Sequence, residues 1–169
     1  MSNAQLILAL IVFQRIAEAV HGRINANRLL AAGGQEVGAG HYPLIVILHV
    51  GFLACLFGAV PPETPIDWRF FWVFIGLQGL RAWVMVSLGR YWTTRVITLP
   101  DHVPLVRRGP YRYLRHPNYL VVIGEFAVIP MMFGAGRIAV AFSVLNAVLL
   151  AWRIRVEDRA LAERRRVTA

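Results

Sequence analysis

Residues 107–120 carry most of the side chains that can bind or react. This stretch holds four arginines, one histidine, two prolines and three tyrosines between two strongly apolar segments. Proline fixes its own φ and disfavours helix at the residue before it, so Gly109-Pro110 and His116-Pro117 bracket a short, stiff loop. Arg115 and His116 then stand at a helix entrance, where free backbone amides and nearby cations attract a carboxylate or a phosphate. The stretch therefore predicts an anion-binding loop.

A second polar group closes the last apolar segment. It consists of Arg153, Glu157 and Asp158. Only residues 133–137 join the last two apolar segments, so these form a tight antiparallel helical hairpin that brings this group beside His116. Arg153 and Glu157 are four residues apart and share a helix face. Glu157 is therefore either held by Arg153 or available to a cationic ligand.

Charged residues also occur inside the apolar segments. Arg15 and Glu18 share one face of the first segment, Arg81 lies in the third and Glu125 in the fourth. Ionisable groups at membrane depth usually face the bundle interior, and a buried carboxylate needs a partner or must be neutral. We expect Glu125 to pair with Arg81, Arg15 or Arg153.

The composition indicates a membrane protein. Hydrophobic residues make up 57% of the 169 residues, and the mean hydropathy is +0.55, whereas soluble domains are roughly 45–50% apolar. A transmembrane helix needs about 20 mostly apolar residues. Five segments meet or approach that length, namely 4–20, 42–60, 70–88, 119–133 and 138–154. The sequence predicts an all-α polytopic bundle of about five transmembrane helices in one domain, residues 1–169.

Arginine is unevenly distributed among the connections. All 18 basic residues are arginine, they face only 9 acidic residues, and arginine-rich connections alternate with poor ones. The positive-inside rule then puts the amino terminus outside and the 107–119 loop in the cytoplasm, in a bacterial inner membrane. Arg164, Arg165 and Arg166 serve topology on this interpretation. Ala17-Glu18-Ala19 leaves a cleaved signal peptide as the alternative for the first segment.

Two connections are predicted to be structured. Residues 25–41 contain four glycines and predict a flexible, polar cytoplasmic loop that reaches a ligand. Residues 93–99 are rich in β-branched side chains, which favours a small hairpin with residues 103–106 at the membrane surface.

Several function classes are excluded by what the chain lacks. It has no dinucleotide-binding glycine motif, no Walker loop and no nucleophile elbow, and its five histidines are scattered, so no metal site is expected. The pI of about 11.2 is typical of nucleic-acid binding. No nucleic-acid partner is expected, however, because the basic residues fall between segments long enough to cross a bilayer.

The motif at residues 109–119, Gly-Pro-Tyr-Arg-Tyr-Leu-Arg-His-Pro-Asn-Tyr, is followed by an apolar hairpin and Glu157-Asp158. Together these resemble the core of the isoprenylcysteine carboxyl methyltransferase family, over about residues 89–162. The resemblance implies an integral membrane methyltransferase that uses S-adenosyl-L-methionine, bound at the cytoplasmic ends of the last helices. The family often has Glu-Glu where this chain has Glu157-Asp158, and the shorter second carboxylate affects which acid contacts the cofactor.

The resemblance implies cofactor-binding roles for eight residues. His116 and Tyr119 would hold the methionine end, the backbone of 107–111 would line the adenosine, and Glu157 would bind polar groups of the cofactor. A carboxylate suits Arg115 at a helix N-terminus, whereas a sulfonium or ammonium suits Glu157 and aromatic faces. The full set is Arg107, Gly109, Tyr111, Arg115, His116, Pro117, Tyr119 and Glu157.

The amino-terminal part is similar to a prokaryotic branch of the family that is associated with type III polyketide synthases and O-methylates alkylpyrones. The similarity lies in Glu18, Asn27, Arg28, Leu29-Leu30 and residues 40–43. It implies that Glu18, Asn27 and Arg28 bind the substrate, a lipophilic small molecule that enters from the bilayer.

An enolic or carboxylic acceptor is largely ionised near neutral pH and needs no strong base, so positioning supplies much of the rate. We expect Arg153 or Arg81 to orient the anionic oxygen, with Glu125 or Glu18 orienting that arginine in turn.

Two alternatives stay open. In the first alternative, the acceptor is the carboxylate of a prenylated cysteine. The second is a non-enzymatic membrane protein whose arginines serve topology and contact membrane lipid head groups. Binding of the cofactor separates the second alternative from the enzyme. The oligomeric state does not follow from the sequence.

Overall fold

The computed structural model describes residues 2–100 and 105–162, which form a helical bundle. In chain order the elements are α1 (Asn3–Ala31), β1 (Gln35–Glu36), α2 (Tyr42–Ala59), α3 (Trp68–Leu88), β2 (Ile97–Thr98), α4 (Pro117–Met132) and α5 (Gly136–Ala160). Short 3-10 helices at Ala39–His41, Gly89–Tyr91 and Gly109–Arg112 lie in the connections. The predicted all-α, polytopic membrane bundle is confirmed.

Four of the five helices in the described ranges are long and apolar enough to cross a membrane, namely α1, α2, α3 and α5. Helix α4 is shorter, with 16 residues. At about 1.5 Å per residue it is about 24 Å long, against about 30 Å for a hydrocarbon core. Pro117 begins it, and Pro130 lies in its last turn. The fourth predicted span is therefore shorter than a full crossing.

Helix α1 is longer than the sequence predicted. The apolar pattern ends at Val20, but the helix continues to Ala31, so the prediction of a flexible loop was wrong for residues 25–31. A tertiary contact explains the difference, since the buried Asn25 amide donates a hydrogen bond to the backbone carbonyl of Trp92 at 2.9 Å. Gly33 then adopts φ +86°, a conformation that ends helices readily.

The two strands form a small antiparallel sheet over the connections. Gln35 pairs with Thr98 and Glu36 with Ile97. The predicted hairpin was therefore wrong in its pairing, because β2 pairs with β1, which the long α1 carries to that position. Residues 105–106 are not in a strand, and residues 103–104 lie outside the described ranges.

Helix α4 lies between α3 and α5, and α2 packs against α5. Phe52 of α2 is central to the core, with its ring 4.5 Å from that of Phe126 and 5.4 Å from that of Phe142. The other buried core side chains are Ala4, Leu8, Ile11, Leu48, Leu56, Val60, Phe74, Ile129, Met132 and Phe133. The predicted antiparallel hairpin of α4 and α5 is thus present. Its open end lies opposite the connection at 133–135 and consists of the start of α4 and the end of α5.

One end of the bundle collects the polar connections. The β1–β2 pair joins the ends of α1 and α3, and Tyr119 at the start of α4 contacts Glu157 near the end of α5. We call this the arginine-rich end; its described arginines are Arg23, Arg28, Arg90, Arg95, Arg107, Arg108, Arg112, Arg115, Arg153, Arg155 and Arg159. At the opposite end, the described residues include only two arginines, Arg69 and Arg137, in the first turns of α3 and α5.

Candidate functional site

A cavity of about 460 Å³ opens at the arginine-rich end, within the range of about 300–1,000 Å³ typical of small-molecule sites. Its walls come from the last turn of α1, the segment after α3, the 105–116 loop, and the facing ends of α4 and α5. Polar and aromatic lining residues are Tyr91, Trp92, Thr93, Arg95, Arg107, Tyr111, Arg115, His116, Asn118, Tyr119, Arg153 and Glu157. Apolar ones are Leu29, Leu88, Val96, Ile97, Leu99, Leu105, Val106, Leu114 and Leu161.

The loop before α4 is docked on the end of α3. Gly109 has φ +59°, and a Cβ added there would lie 2.9 Å from Ser87 Cβ and overlap the Ser87 hydroxyl. The neighbouring Arg108 Nε donates to the Ser87 carbonyl at 2.8 Å, and Pro110 is buried. Only glycine fits this position, so Gly109 sets the course of the loop that brings Tyr111 to the cavity.

His116 precedes α4 and contacts two elements. Its ring stacks on Tyr119, with centroids 5.2 Å apart and an interplanar angle of 17°. On the α5 side, Nε2 lies 3.1 Å from Asp158 Oδ1 and Nδ1 lies 3.8 Å from Glu157 Oε1. The start of α4 and the end of α5 thus lie side by side, as the sequence predicted, and the carboxylates orient the imidazole.

Tyr119 joins Arg153 to Glu157. Its hydroxyl donates a hydrogen bond to Glu157 Oε2 and accepts one from Arg153 Nε at 2.9 Å. Arg153 Nη2 donates to the Thr94 carbonyl at 2.7 Å, which ties α5 to the segment after α3. Glu157 and Arg153 therefore meet through the tyrosine hydroxyl, and Arg153 is positioned from two sides.

The Tyr111 phenol is neutral at physiological pH. Burial raises its pKa well above the usual range, and the Glu157 carboxylate raises that pKa further. A neutral phenol in this position is a hydrogen-bonding group that does not add charge to the cavity.

Two cavity-lining side chains carry buried polar atoms without a hydrogen-bond partner among the described residues. These are Asn118 Oδ1, an acceptor, and Trp92 Nε1, a donor. Buried polar groups in proteins are nearly always paired. Each atom therefore lacks a partner that a bound ligand would supply.

Deeper in the bundle, four charged side chains form a closed cluster between α1, α3 and α4. Arg15 contacts Glu18 at 2.9 Å and Glu125 at 2.5 Å. Arg81 contacts Glu18 at 2.9 Å and also pairs with Glu125. We call these four residues the ion quartet; its formal charge sums to zero. Glu125 thus pairs with two of its three expected partners, Arg81 and Arg15.

The ion quartet lies apart from the cavity. None of its four residues lines the cavity, and Glu125 is six residues beyond Tyr119, about 9 Å along α4 at about 1.5 Å per residue. Of the three residues predicted to be catalytic, the structure places Arg153 at the cavity and places Arg81 and Glu125 in the quartet. Glu18, predicted to bind substrate, is held there as well, where it orients Arg81.

The other predicted positions divide in the same way. Arg107, Tyr111, Arg115, His116, Tyr119 and Glu157 line the cavity, whereas Gly109 lines an adjoining shallow cleft and Pro117 is buried at the start of α4. Asn27 and Arg28 are exposed on α1 and do not line the cavity, although the next residue, Leu29, does. Helical geometry points neighbouring residues to different sides, which explains this result.

Sequence reasoning missed Trp92 and Arg95 as site residues. Arg95 belongs to the segment that was interpreted only as a possible strand, and Trp92 directly precedes that segment. Arg95 pairs with Glu36 at 3.0 Å and lies over the Tyr42 ring at 5.1 Å, so it fastens the β1 connection beside the cavity. The signal was the concentration of Trp92, Arg95 and Tyr91 directly after an apolar helix, where aromatic and cationic residues mark a membrane surface.

Comparison with known proteins identifies relatives and a family. The protein YpbQ of Bacillus subtilis (strain 168), described as uncharacterized, is 39% identical over 165 residues, which cover 94% of this chain and 96% of that protein. An uncharacterized protein of Haemophilus influenzae is 26% identical over 142 residues, covering 79% of this chain and 80% of that protein. No significant match was found among solved structures.

A sequence model of the isoprenylcysteine carboxyl methyltransferase (ICMT) family matches residues 70–163, more than half of the 169 residues. The matched range contains the loop docked by Gly109, the His116–Tyr119 stack and the Arg153–Glu157 group of α5. On this match, the chain belongs to the isoprenylcysteine carboxyl methyltransferase family.

Proposed function

We propose that the protein transfers a methyl group from S-adenosyl-L-methionine to an oxygen of a lipophilic small molecule at the membrane surface. The observation that carries the proposal is the cavity itself. Its polar wall is built by His116, Tyr119 and Glu157, all within the range that matches a family of membrane methyltransferases. Family membership indicates the methyltransferase class, and the cofactor and acceptor are our inference.

The cavity residues fit this cofactor. Its carboxylate suits the cations Arg107 and Arg115, and its positively charged groups suit Glu157 and the faces of the tyrosines. Asn118 Oδ1, a buried acceptor without a partner among the described residues, suits the amino or hydroxyl donors that the cofactor carries. When bound, the cofactor supplies a methyl group on a positively charged sulfur.

The chain's own residues then have to position the acceptor. Arg153 is fixed by Tyr119 and by the Thr94 carbonyl, so its guanidinium presents a fixed charge at the cavity wall. An anionic oxygen beside it is stabilised and oriented, and no general base is needed for an acid that is already ionised. Arg81 is the other arginine predicted to orient the anionic oxygen. It is held in the ion quartet, where it stabilises the packing of α3 against α1 and α4.

For the acceptor we propose an alkylpyrone-type polyketide. The support is the similarity of the amino-terminal part to enzymes that methylate alkylpyrones, together with the apolar wall that Leu29, Val96 and Ile97 provide for a hydrocarbon chain. The carboxylate of a prenylated cysteine is the rival acceptor, and it has the same combination of an ionised oxygen and a hydrocarbon tail. A direct comparison of the two acceptors decides between them.

We also propose that the arginine-rich end faces the cytoplasm of a bacterial inner membrane. The distribution of arginine supports this orientation. The water-soluble cofactor then reaches the cavity from the cytoplasm, while the acceptor enters from the lipid.

The first test is calorimetric titration of S-adenosylhomocysteine, the demethylated cofactor, into the detergent-purified protein. We expect saturable binding that weakens at least tenfold in His116→Ala and in Glu157→Ala, about 1.4 kcal/mol each. Glu63→Ala is the matched control, because Glu63 is exposed at the opposite end of the bundle and its loss leaves the affinity unchanged.

If S-adenosylhomocysteine does not bind to the folded wild-type protein, the enzyme proposal is overturned and a non-enzymatic membrane protein is favoured. If S-adenosylhomocysteine binds, an acceptor screen follows, with alkylpyrones and prenylated cysteines of matched chain length. Methylation of the prenylated cysteine alone would replace the alkylpyrone as acceptor and keep the methyltransferase.

A further inference from the structure

The Trp92 indole is an unassigned polar group of the cavity. Its side chain is only 3% exposed, it lines the cavity, and its Nε1 has no hydrogen-bond partner among the described residues. A buried indole N–H normally has a partner. Trp92 lies outside the loop and the helix ends that we assign to the cofactor.

The indole is held in one orientation by α1. A Cβ added to Gly22 would lie 3.2 Å from Trp92 Cζ3, so the benzene edge of the indole packs directly on the bare backbone of that helix. The His21 ring lies 5.6 Å from the Trp92 ring, and Asn25 holds the Trp92 carbonyl at 2.9 Å. Because Cζ3 and Nε1 lie on opposite edges of an indole, the unpaired donor does not face Gly22.

Trp92 shares the lining of the cavity with apolar side chains and with Arg153. Leu29, Val96 and Ile97 line the same cavity, and the Thr94 carbonyl, two residues along the chain from Trp92, accepts the hydrogen bond of Arg153. The Trp92 indole and the Arg153 guanidinium thus both belong to residues that line the cavity, together with side chains that suit a hydrocarbon. This lining fits an apolar molecule that carries more than one oxygen.

We propose that Trp92 Nε1 donates a hydrogen bond to the acceptor and selects acids whose negative charge is shared between two oxygen atoms. One oxygen faces Arg153 and the other accepts the indole proton. A vinylogous acid such as a 4-hydroxy-2-pyrone has this pair of oxygens, and so does a carboxylate, whereas a long-chain alcohol does not. This inference rests on the proposed function and adds to it the residue and the chemistry that recognise the acceptor.

The direct test observes the indole proton. Protein labelled with ¹⁵N at the tryptophan indoles gives signals for its five tryptophans, and Trp92→Phe identifies the one from Trp92. With S-adenosylhomocysteine already bound, a 4-hydroxy-2-pyrone carrying an undecyl chain is added. We expect the Trp92 signal to show the largest downfield shift of the five, as a new hydrogen bond requires.

A binding measurement gives an independent readout. We expect Trp92→Phe to weaken the pyrone at least tenfold, about 1.4 kcal/mol, and to leave the affinity for S-adenosylhomocysteine within twofold. Undecanol, with its single oxygen, should bind the variant and the wild type alike. Trp72→Phe is the matched control, since Trp72 is 66% exposed on α3, and it should change neither affinity.

The outcomes separate the two proposals. If the pyrone binds without moving the Trp92 signal, or if S-adenosylhomocysteine alone moves it, the acceptor role of Trp92 is overturned and the methyltransferase stands. A Trp92 shift with a long-chain carboxylate but not with the pyrone supports selection of acids whose charge is shared between two oxygens, and it changes the acceptor to a carboxylic acid. If the wild type binds no S-adenosylhomocysteine, the proposed function fails first.

Discussion

At the scale of single residues, the cavity contains groups that the protein itself satisfies and groups that it leaves for a ligand. Arg153 and Tyr119 make short hydrogen bonds within the protein, so they are held in place before anything binds. Asn118 Oδ1 and Trp92 Nε1 are buried without partners among the described residues. Prearranged charge beside unpaired donors and acceptors is the pattern of a binding site.

Tyr111 gives a prediction about stability at high pH. Burial, and to a smaller extent Glu157, raises the pKa of its phenol in the folded protein, whereas the unfolded chain loses this proton near pH 10. The stabilising contribution is therefore complete below about pH 10 and is lost as pH rises towards the folded-state pKa. We expect the thermal unfolding midpoint to fall between about pH 9 and about pH 11, and Tyr111→Phe to make that fall shallower.

Tyr113→Phe is the control for this experiment, because Tyr113 is 74% exposed and its substitution should leave the pH dependence as in the wild type. An equal effect of both substitutions would contradict a special role for the buried phenol.

At the scale of elements, the site depends on how loops and helices are fastened to one another. The loop before α4 is docked on α3 through Gly109 and Ser87, and the β1–β2 pair fastens the connection after α1 to the segment after α3. The ion quartet joins α1 to α3 and α4 below the cavity. These contacts come from residues far apart in the sequence, and each can be tested separately.

Gly109→Ala should undock the loop. A non-glycine residue at this positive φ costs about 1–2 kcal/mol, and the added methyl group overlaps the Ser87 hydroxyl. We expect a lower thermal unfolding midpoint and at least tenfold weaker binding of S-adenosylhomocysteine. Gly76→Ala is the matched control on α3, because nothing lies within 4 Å of its added Cβ. Adding Ser87→Ala to Gly109→Ala should restore part of the affinity, and a complete lack of recovery would count against the proposed docking.

Glu125→Gln should destabilise the bundle. It leaves the buried guanidinium of Arg81 and the partly buried one of Arg15 with a single carboxylate, Glu18, and removing one partner from a buried ion pair costs about 3–5 kcal/mol. We expect a large drop in the thermal unfolding midpoint in detergent. The double variant Glu125→Gln with Arg15→Gln restores neutrality and should recover part of the loss.

Asp67→Asn provides the comparison for an exposed ion pair. Asp67 bonds to Arg69 at the surface, and such pairs contribute about 0–1 kcal/mol, so the change should be small. A destabilisation as large as that of Glu125→Gln would show that burial is not what makes the quartet important. If Glu125→Gln instead abolished methyl transfer in a protein of normal stability, the quartet would have the catalytic role that the sequence predicted for Glu125 and Arg81.

At the scale of the whole molecule, the two ends of the bundle differ in charge. The cavity and most of the described arginines share one end, and the described charged residues at the other end are Glu63, Asp67, Arg69 and Arg137. Within the described part of the chain, four helices are long and apolar enough to span a bilayer, so the two ends lie on opposite sides of a membrane. Such asymmetry favours a single orientation.

The orientation can be measured with single cysteines. The chain has one native cysteine, Cys55, so Cys55→Ala provides the background for Glu63→Cys and Arg90→Cys, two exposed positions at opposite ends. A maleimide that does not cross membranes should label the Glu63 position in intact bacterial cells and the Arg90 position only after permeabilisation. The reverse pattern would put the cavity outside the cytoplasm and contradict the proposed orientation.

The sequence alone was sufficient for the features that depend on local pattern. Long apolar segments that cross lipid have to form helices, because a helix satisfies its own backbone hydrogen bonds. These segments therefore predicted the all-α membrane bundle. The motif at residues 109–119 and the acids Glu157 and Asp158 predicted a polar site at one end of the last hairpin. The short connection at 133–137 allowed only one pairing of the last two apolar segments.

Only the tertiary structure decided which polar residues share a site. Arg81, Glu125 and Glu18 looked equivalent to Arg153 in the sequence, but partners on three helices hold them in a neutral cluster that does not line the cavity. Trp92 was not singled out, because its unpaired donor appears only when α1 continues past its apolar pattern and packs its glycine on the indole. Periodicity reports the face of one helix, whereas hydrogen-bond satisfaction depends on contacts between elements distant in the chain.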